Sequence, residues 1–185
     1  MVRITISGFP GSGKTSVGKK IAEKFGCKFY SMGDLRGRMA IDRGIDVDKL
    51  NEVGEKESWT DNDVDNYQKE LGSKENNFVI EGRLSYFFIP KSIKIFLKVD
   101  LREGAKRIFL NQRSDEREVF SVEEMANIIE KRILSDKIRY RKHYDIDCYM
   151  ESQYDIIVNS TNISIDEVVV LIQKKIEEMQ NSRNS

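Results

Sequence analysis

The stretch Gly8-Phe9-Pro10-Gly11-Ser12-Gly13-Lys14-Thr15 constrains this chain more than any other, because it has the G-x-x-x-x-G-K-[ST] spacing of a phosphate-binding loop. Its glycines let the backbone curl with N–H groups turned inward, where a Cβ would obstruct an anion. Lys14 is placed to reach the outer phosphates of a triphosphate, the Thr15 hydroxyl to sit on Mg²⁺, and the loop through Ser16 to complete the cradle. Both flanks agree. Val2-Arg3-Ile4-Thr5-Ile6 alternates as a strand should, and Val17, Ile21 and Phe25 recur every four residues as the core stripe of a helix. That helix opens at the loop, so its partial positive end faces the same anion.

Strand and helix signals alternate along the rest of the chain. Lys28-Phe29-Tyr30 is a short strand candidate, and Ser31 and Asp34 in the turn that follows are candidate helix caps. Residues 33–74 are strongly polar, with helices expected over 46–57 and 61–71 and a start signal at Thr60. The apolar run 77–80 reads as a buried parallel strand ending at Glu81-Gly82-Arg83, and 93–99 as the next strand. Asp100 with Glu103, Ser121 with Glu124 and Ser164 with Glu167 have capping-box spacing. They open helices that turn inward Ala105, Ile108 and Phe109, then Met125, Ile128, Ile129 and Ile133, then Val168, Leu171, Ile172 and Ile176. Residues 154–158 read as the last strand.

This alternation predicts an α/β fold: a P-loop three-layer α/β/α arrangement on a five-stranded parallel sheet, with ligands at the carboxyl ends of the strands. One domain is expected over 1–180, and 181–185 as a disordered tail. The polar inserts at about 33–74 and 111–121 read either as surface decoration or as two mobile flaps. Flaps suit phosphoryl transfer, which must keep water out.

Charge and composition exclude other classes. Lys plus Arg and Asp plus Glu each total 31, so no net positive field points to nucleic acid. No apolar run approaches a membrane span, and the chain enters a strand directly rather than a signal peptide, so a cytoplasmic location is expected. Cys27 and Cys148 lack C-x-x-C spacing and a single His143 does not build a zinc site with them.

Several charged residues are candidates for the site. Glu81, ending an apolar strand, reads as a second group on Mg²⁺ beside Thr15, and Arg83 as a fork for a phosphate. Arg132, Asp136 and Arg139, four and three apart, share one face of the long helix; Arg141 and Lys142 extend the cluster. Guanidinium groups delivered there would neutralise a moving phosphoryl group, with Arg113 and Arg117 as further candidates, whereas an exposed i,i+4 pair is the ordinary alternative. Asp61, Asp65 and Gln68 lie on one face of an expected helix, either as readers of a base edge or as a solvated surface. Asp34-Leu35-Arg36-Gly37 fits D-x-x-G, but no N-K-x-D guanine reader accompanies it.

At these residues the chain resembles the archaeal-type cytidylate kinases of the nucleoside monophosphate kinase superfamily. The resemblance covers nearly the whole chain. It rests on the loop 8–15, the Ser31-Met32-Gly33-Asp34 turn, Glu81-Gly82-Arg83-Leu84, the Lys131-Arg132, Ser135-Asp136 and Arg139-Tyr140 run, and Tyr144 with Ile146-Asp147. It implies transfer of the ATP γ-phosphoryl group to CMP or dCMP with Mg²⁺; the expected partners are small molecules, and a monomer is expected. Lys14, Arg132 and Arg139 would be catalytic; Asp34, Arg83, Asp65, Asp136 and an arginine after Asp34 would bind the acceptor. The family's Gly-Asp-x-x-Arg pattern meets Gly37 here, leaving Arg36 or Arg38 for that role. A lid without a cysteine quartet carries no zinc. An adenylate kinase or another small-molecule kinase is the runner-up, and a nucleotide-dependent switch is the alternative of a different class.

Overall fold

The consecutive β-branched residues Ile4, Thr5 and Ile6 favour an extended β1 (Arg3–Gly8), which is the central strand of the sheet. In this computed structural model, which describes residues 2–57, 59–112 and 118–184, five parallel strands run in the order β2-β3-β1-β4-β5. Their ranges are β2 Lys28–Ser31, β3 Phe78–Glu81, β4 Ile93–Lys98 and β5 Ile156–Asn159. Ile6 pairs with Glu81 on one side and Ile95 on the other, so the end of β1 lies between the ends of β3 and β4. The five-stranded parallel sheet expected from the alternating pattern is therefore present.

Strand periodicity decides which residues meet which layer. Ile4 and Ile6 turn to one face, where α1 (Lys14–Lys24) supplies Val17 and Ile21, and α8 (Ile165–Asn184) supplies Val168, Ile172 and Ile176. All seven are fully buried, each contributing about 1.5–3 kcal/mol by leaving water. Thr5 and Ser7 turn to the other face and are equally buried, but their hydroxyls find Ser92 Oγ at 2.9 Å and the Arg83 carbonyl at 3.3 Å.

On that second face lie α2 (Met32–Ile41), α3 (Val47–Lys56) and α4 (Trp59–Lys74), which pack Met39, Leu50, Val64 and Leu71 against Phe78 and Ile80. The first polar insert is thus three helices with a core of their own. Beyond it α5 (Ser85–Phe88), α6 (Leu101–Phe109) and α7 (Val122–Tyr144) complete the layer.

Most of the capping expected from sequence is present, with Ser31 rather than Asp34 capping α2. Ser31, Asp46, Asp100 and Ser121 each accept from an amide of the helix that follows, and Ser164 and Glu167 exchange both bonds of a capping box. Other details differ. Thr60 lies inside α4 rather than starting it, fully buried. Val168, Ile172 and Ile176 are buried as expected, but Leu171 is exposed and Val169 buried, because the buried arc of α8 runs through 168, 172, 176 and 169 and Leu171 lies outside it. Helix α8 runs on to Asn184 through most of the expected tail. Tyr154 stands before β5, its hydroxyl donating to the Cys148 carbonyl at 2.6 Å. Of the second insert, Gln112 clasps the Val119 backbone by two 2.9 Å bonds; Arg113 and Arg117 lie outside the described residues.

Candidate active site

Left-handed φ values at Gly11 (+74°) and Gly13 (+87°), with Gly8 at +145°, bend the loop after β1. Neighbouring backbone also excludes side chains here. A Cβ on Gly8 would stand 2.2 Å from the Leu97 carbonyl oxygen, and one on Gly11 2.3 Å from that of Gly104 in α6. Pro10, Gly11, Gly13, Lys14, Thr15 and Ser16 line a cleft of about 770 Å³, while Gly8, Phe9 and Ser12 stand behind them. The first amides of α1 have no preceding helical turn to bond, and no side chain caps them. Ser12 Oγ is buried without a hydrogen-bond partner. Unpaired amides and an orphaned hydroxyl around a backbone cradle suit a phosphate group.

Lys14 Nζ folds back to donate to the Phe9 carbonyl at 2.9 Å. Burial, reinforced by the nearby Arg83 charge, brings its ammonium down to about 7. Glu81, 4% exposed, receives the hydroxyls of Thr15 (3.3 Å) and Ser31. No Lys or Arg among the described residues is ion-paired with it. A buried carboxylate beside a threonine hydroxyl, without a cationic partner, fits Mg²⁺, which takes few ligands from protein and the rest from phosphate and water. No cluster of three or more His, Cys, Asp or Glu among the described residues offers another metal site.

Next to the loop, arginines from distant segments converge. Arg83 donates from Nε to Asp136 Oδ2 at 2.8 Å and from Nη1 to the Gly8 carbonyl at 3.0 Å. Asp136 also receives Arg139 Nη2 at 2.8 Å and the Tyr149 hydroxyl at 2.7 Å. Burial alone would raise this carboxyl; Arg83 and Arg139 outweigh it and hold it below the ordinary range. Tyr149 in turn stacks on Phe9 at 5.0 Å, tying the rear of the phosphate loop to the same carboxylate. Arg139, 1% exposed, reaches Asn51 Oδ1 at 2.9 Å and Asp61 at 3.3 Å. Arg36 meets the same two residues, from Nε to Asn51 at 2.8 Å and from Nη1 to Asp61 at 2.9 Å. Helical phase thus decides between the two candidate arginines of α2: Arg36 lines the cleft and Arg38 faces solvent. Asp34 lies in the first turn of α2, its amide donating to Ser31 Oγ, and does not line the cleft. Arg132 lines it and forks onto Asp48 of α3 at 2.6 and 3.0 Å. Arg141 and Lys142 point elsewhere, to Asp145 and to carbonyls at the end of α3.

The reading of Asp61, Asp65 and Gln68 as a solvated surface is overturned: they are 5%, 5% and 2% exposed and all line the cleft. Burial raises the Asp65 carboxyl to about 6, against the hydroxyl donated by Tyr144. At the opposite end, Arg107 fixes the loop after β5 by donating to the carbonyls of Ser160 (2.8 Å) and Thr161 (3.0 Å). Asn51, Arg107 and Tyr149 are absent from the sequence-based candidates. Arg107 reads in sequence as an ordinary helical pair with Glu103, and Tyr149 and Asn51 carry no local signal at all.

A phosphate loop on the middle strand of a parallel sheet, an acid ending the neighbouring strand and a cleft walled by arginines define a P-loop kinase. Residues 3–162 match the Cytidylate kinase-like family, and the chain belongs to it. A cytidylate kinase of Archaeoglobus fulgidus is 36% identical over 95% of this chain and 95% of its own length. An S-adenosylmethionine-dependent nucleotide dehydratase of Lacinutrix mariniflava is 34% identical over 92% of this chain, which spans only 35% of that protein. The fold is also that of a shikimate kinase from Bacteroides thetaiotaomicron, at a TM-score of 0.64 and 20% identity over 95% of this chain and 98% of the other. No helix among the described residues is long and apolar enough to cross a membrane.

Proposed function

We propose that the chain transfers the terminal phosphoryl group of ATP to CMP or dCMP in the presence of Mg²⁺. The observation that carries this reading is one continuous cleft, with the phosphate loop at one end, a buried carboxylate and amide pair at the other, and Arg83 between them. The similarity to cytidylate kinases supports the acceptor class.

The donor end is Lys14 and the first amides of α1, with the buried Ser12 hydroxyl behind them. Thr15 and Glu81 would hold Mg²⁺, which when bound would supply charge to offset that of a triphosphate. Arg83 is fixed through Nε and Nη1, which leaves Nη2 available to an acceptor phosphate. Arg36 and Arg139 are anchored by Asn51, Asp61 and Asp136 and form a fixed wall of the cleft, in which Arg36 Nη2 is buried without a hydrogen-bond partner. Arg132 acts on the moving group only after exchanging Asp48 for a phosphate oxygen. An acceptor phosphate oxygen forms the new bond to the γ-phosphorus as the bond to the β-phosphate oxygen breaks. Rate comes from positioning and preorganised charge rather than from a covalent intermediate. The inserts at about 33–74 and 111–121 serve as acceptor-binding unit and lid within one domain.

A coupled assay of ADP formation with CMP, dCMP, UMP and AMP tests the assignment. Turnover that depends on acceptor and is highest with CMP or dCMP is expected. Slow hydrolysis unchanged by every acceptor would instead describe a nucleotide switch, and preference for AMP an adenylate kinase.

A further inference from the structure

The polar pair at the far end of the cleft has a direction. Gln68 meets Ser85 Oγ at 2.6 Å through Oε1 and Asp65 Oδ1 at 3.5 Å through Nε2, while the Tyr144 hydroxyl donates to Asp65 Oδ2. An ionised carboxylate only accepts, so the Gln68 amide has to turn its NH₂ toward Asp65. Its oxygen is then left facing Ser85, fully buried, whose hydroxyl donates to it. Every hydrogen along Ser85, Gln68, Asp65 and Tyr144 therefore runs toward the Asp65 carboxylate. Asp65 and Gln68 line the cleft; Ser85 and Tyr144 do not. The cleft is offered an acceptor, Asp65, beside a donor, the second N–H of Gln68.

We propose that this directed chain selects the acceptor base, with Asp65 and Gln68 touching it and Ser85 and Tyr144 as positioning residues that set the polarity. A base edge with an exocyclic amine beside an unprotonated ring nitrogen, as in cytosine, pairs at both points. Uracil presents a carbonyl beside a ring N–H, which sets acceptor against acceptor and donor against donor. A buried polar group left facing its own kind costs far more than a lost contact. Adenine has the same order of groups as cytosine and is separated by size, not by this chain. The inference rests on the reading of the site as a nucleoside monophosphate kinase.

Asp65→Asn replaces the terminal acceptor by an amide. With Tyr144 donating to its oxygen, its NH₂ faces Gln68, which turns over and accepts, and the polarity offered to the cleft reverses. The test measures kcat/KM for CMP and UMP in the wild type, Asp65→Asn and Ser85→Ala, with ATP affinity and thermal unfolding alongside. The CMP:UMP ratio is expected to fall about 100-fold in Asp65→Asn, with the UMP value rising in absolute terms. In Ser85→Ala it is expected to narrow about tenfold, the scale of one lost hydrogen bond, at unchanged ATP affinity. A merely structural role would lower both substrates together and leave the ratio in place, which overturns the inference. A wild type that phosphorylates neither nucleotide defeats the proposed function itself. A wild type that prefers CMP, with an unmoved ratio in both variants, defeats only the directed chain.

Discussion

Burial and the Arg83 guanidinium bring the Lys14 ammonium down to about 7, so the ligand-free site loses positive charge just where the cell works. Below that pH Lys14 is charged both free and bound. Above it the free protein releases the proton, while a polyphosphate holds it in the complex. Nucleotide binding should therefore take up protons above pH 7 and weaken as pH rises. Calorimetric titration at pH 8 in two buffers of different ionisation enthalpy is expected to report uptake of up to one proton, absent in Lys14→Met; identical heats would contradict it. Lys14→Ala is expected to cut turnover by orders of magnitude with unfolding unchanged. Arg83→Ala should raise the acceptor KM and lower kcat together, since its contact tightens toward the transition state. An unchanged acceptor profile would remove Arg83 from the site.

On helix α7 one carboxylate ties three elements together. Asp136 joins Arg83 at the end of β3, Arg139 on its own helix and Tyr149 behind the phosphate loop. Asp136→Ala removes a carboxylate shared by the buried Arg139 and the half-buried Arg83. It is expected to cost up to about 3 kcal/mol in urea unfolding, the low end for a broken buried ion pair because Arg139 keeps Asp61 and Asn51. Its folded carboxyl lies below the ordinary range, so the stabilisation is present above about pH 4 and lost as pH falls through the lowered value. The face shared by Arg132, Asp136 and Arg139 is legible from spacing within one helix, and so are the capping boxes. Their partners are not: Asp48 and Asn51 lie 84 and 88 residues away from the arginines they bind. The buried face of α4 escaped for a different reason. Charged residues are rarely buried unless paired, and the pairs of Asp61 and Asp65 come from α2 and α7. The second insert carries no readable period; at its flanks the Gln112 side chain brackets the Val119 backbone, a contact that no local pattern signals.

Across the whole molecule, the cleft is lined by the loops after β1 and β3 and by residues of α2, α3, α4, α6 and α7, so nucleotide should stabilise the protein as a unit. ATP with Mg²⁺ at 100 times its Kd is expected to add about 2.7 kcal/mol and to raise Tm by about 5–10 °C, with a smaller shift when Mg²⁺ is chelated. A Tm indifferent to nucleotide would argue against binding at the loop. The close approach of Gly11 to Gly104 carries this coupling beyond the residues that face the ligand. A methyl group on Gly104 would sit 2.8 Å from the Pro10 carbonyl oxygen, although Gly104 lies on α6 and reaches no part of the cleft. The two bare backbones meet where the helix leading into the second insert lies against the anion cradle. Gly104→Ala is therefore expected to displace the loop and weaken ATP binding from outside the pocket, read by calorimetric titration; an unchanged affinity would contradict it.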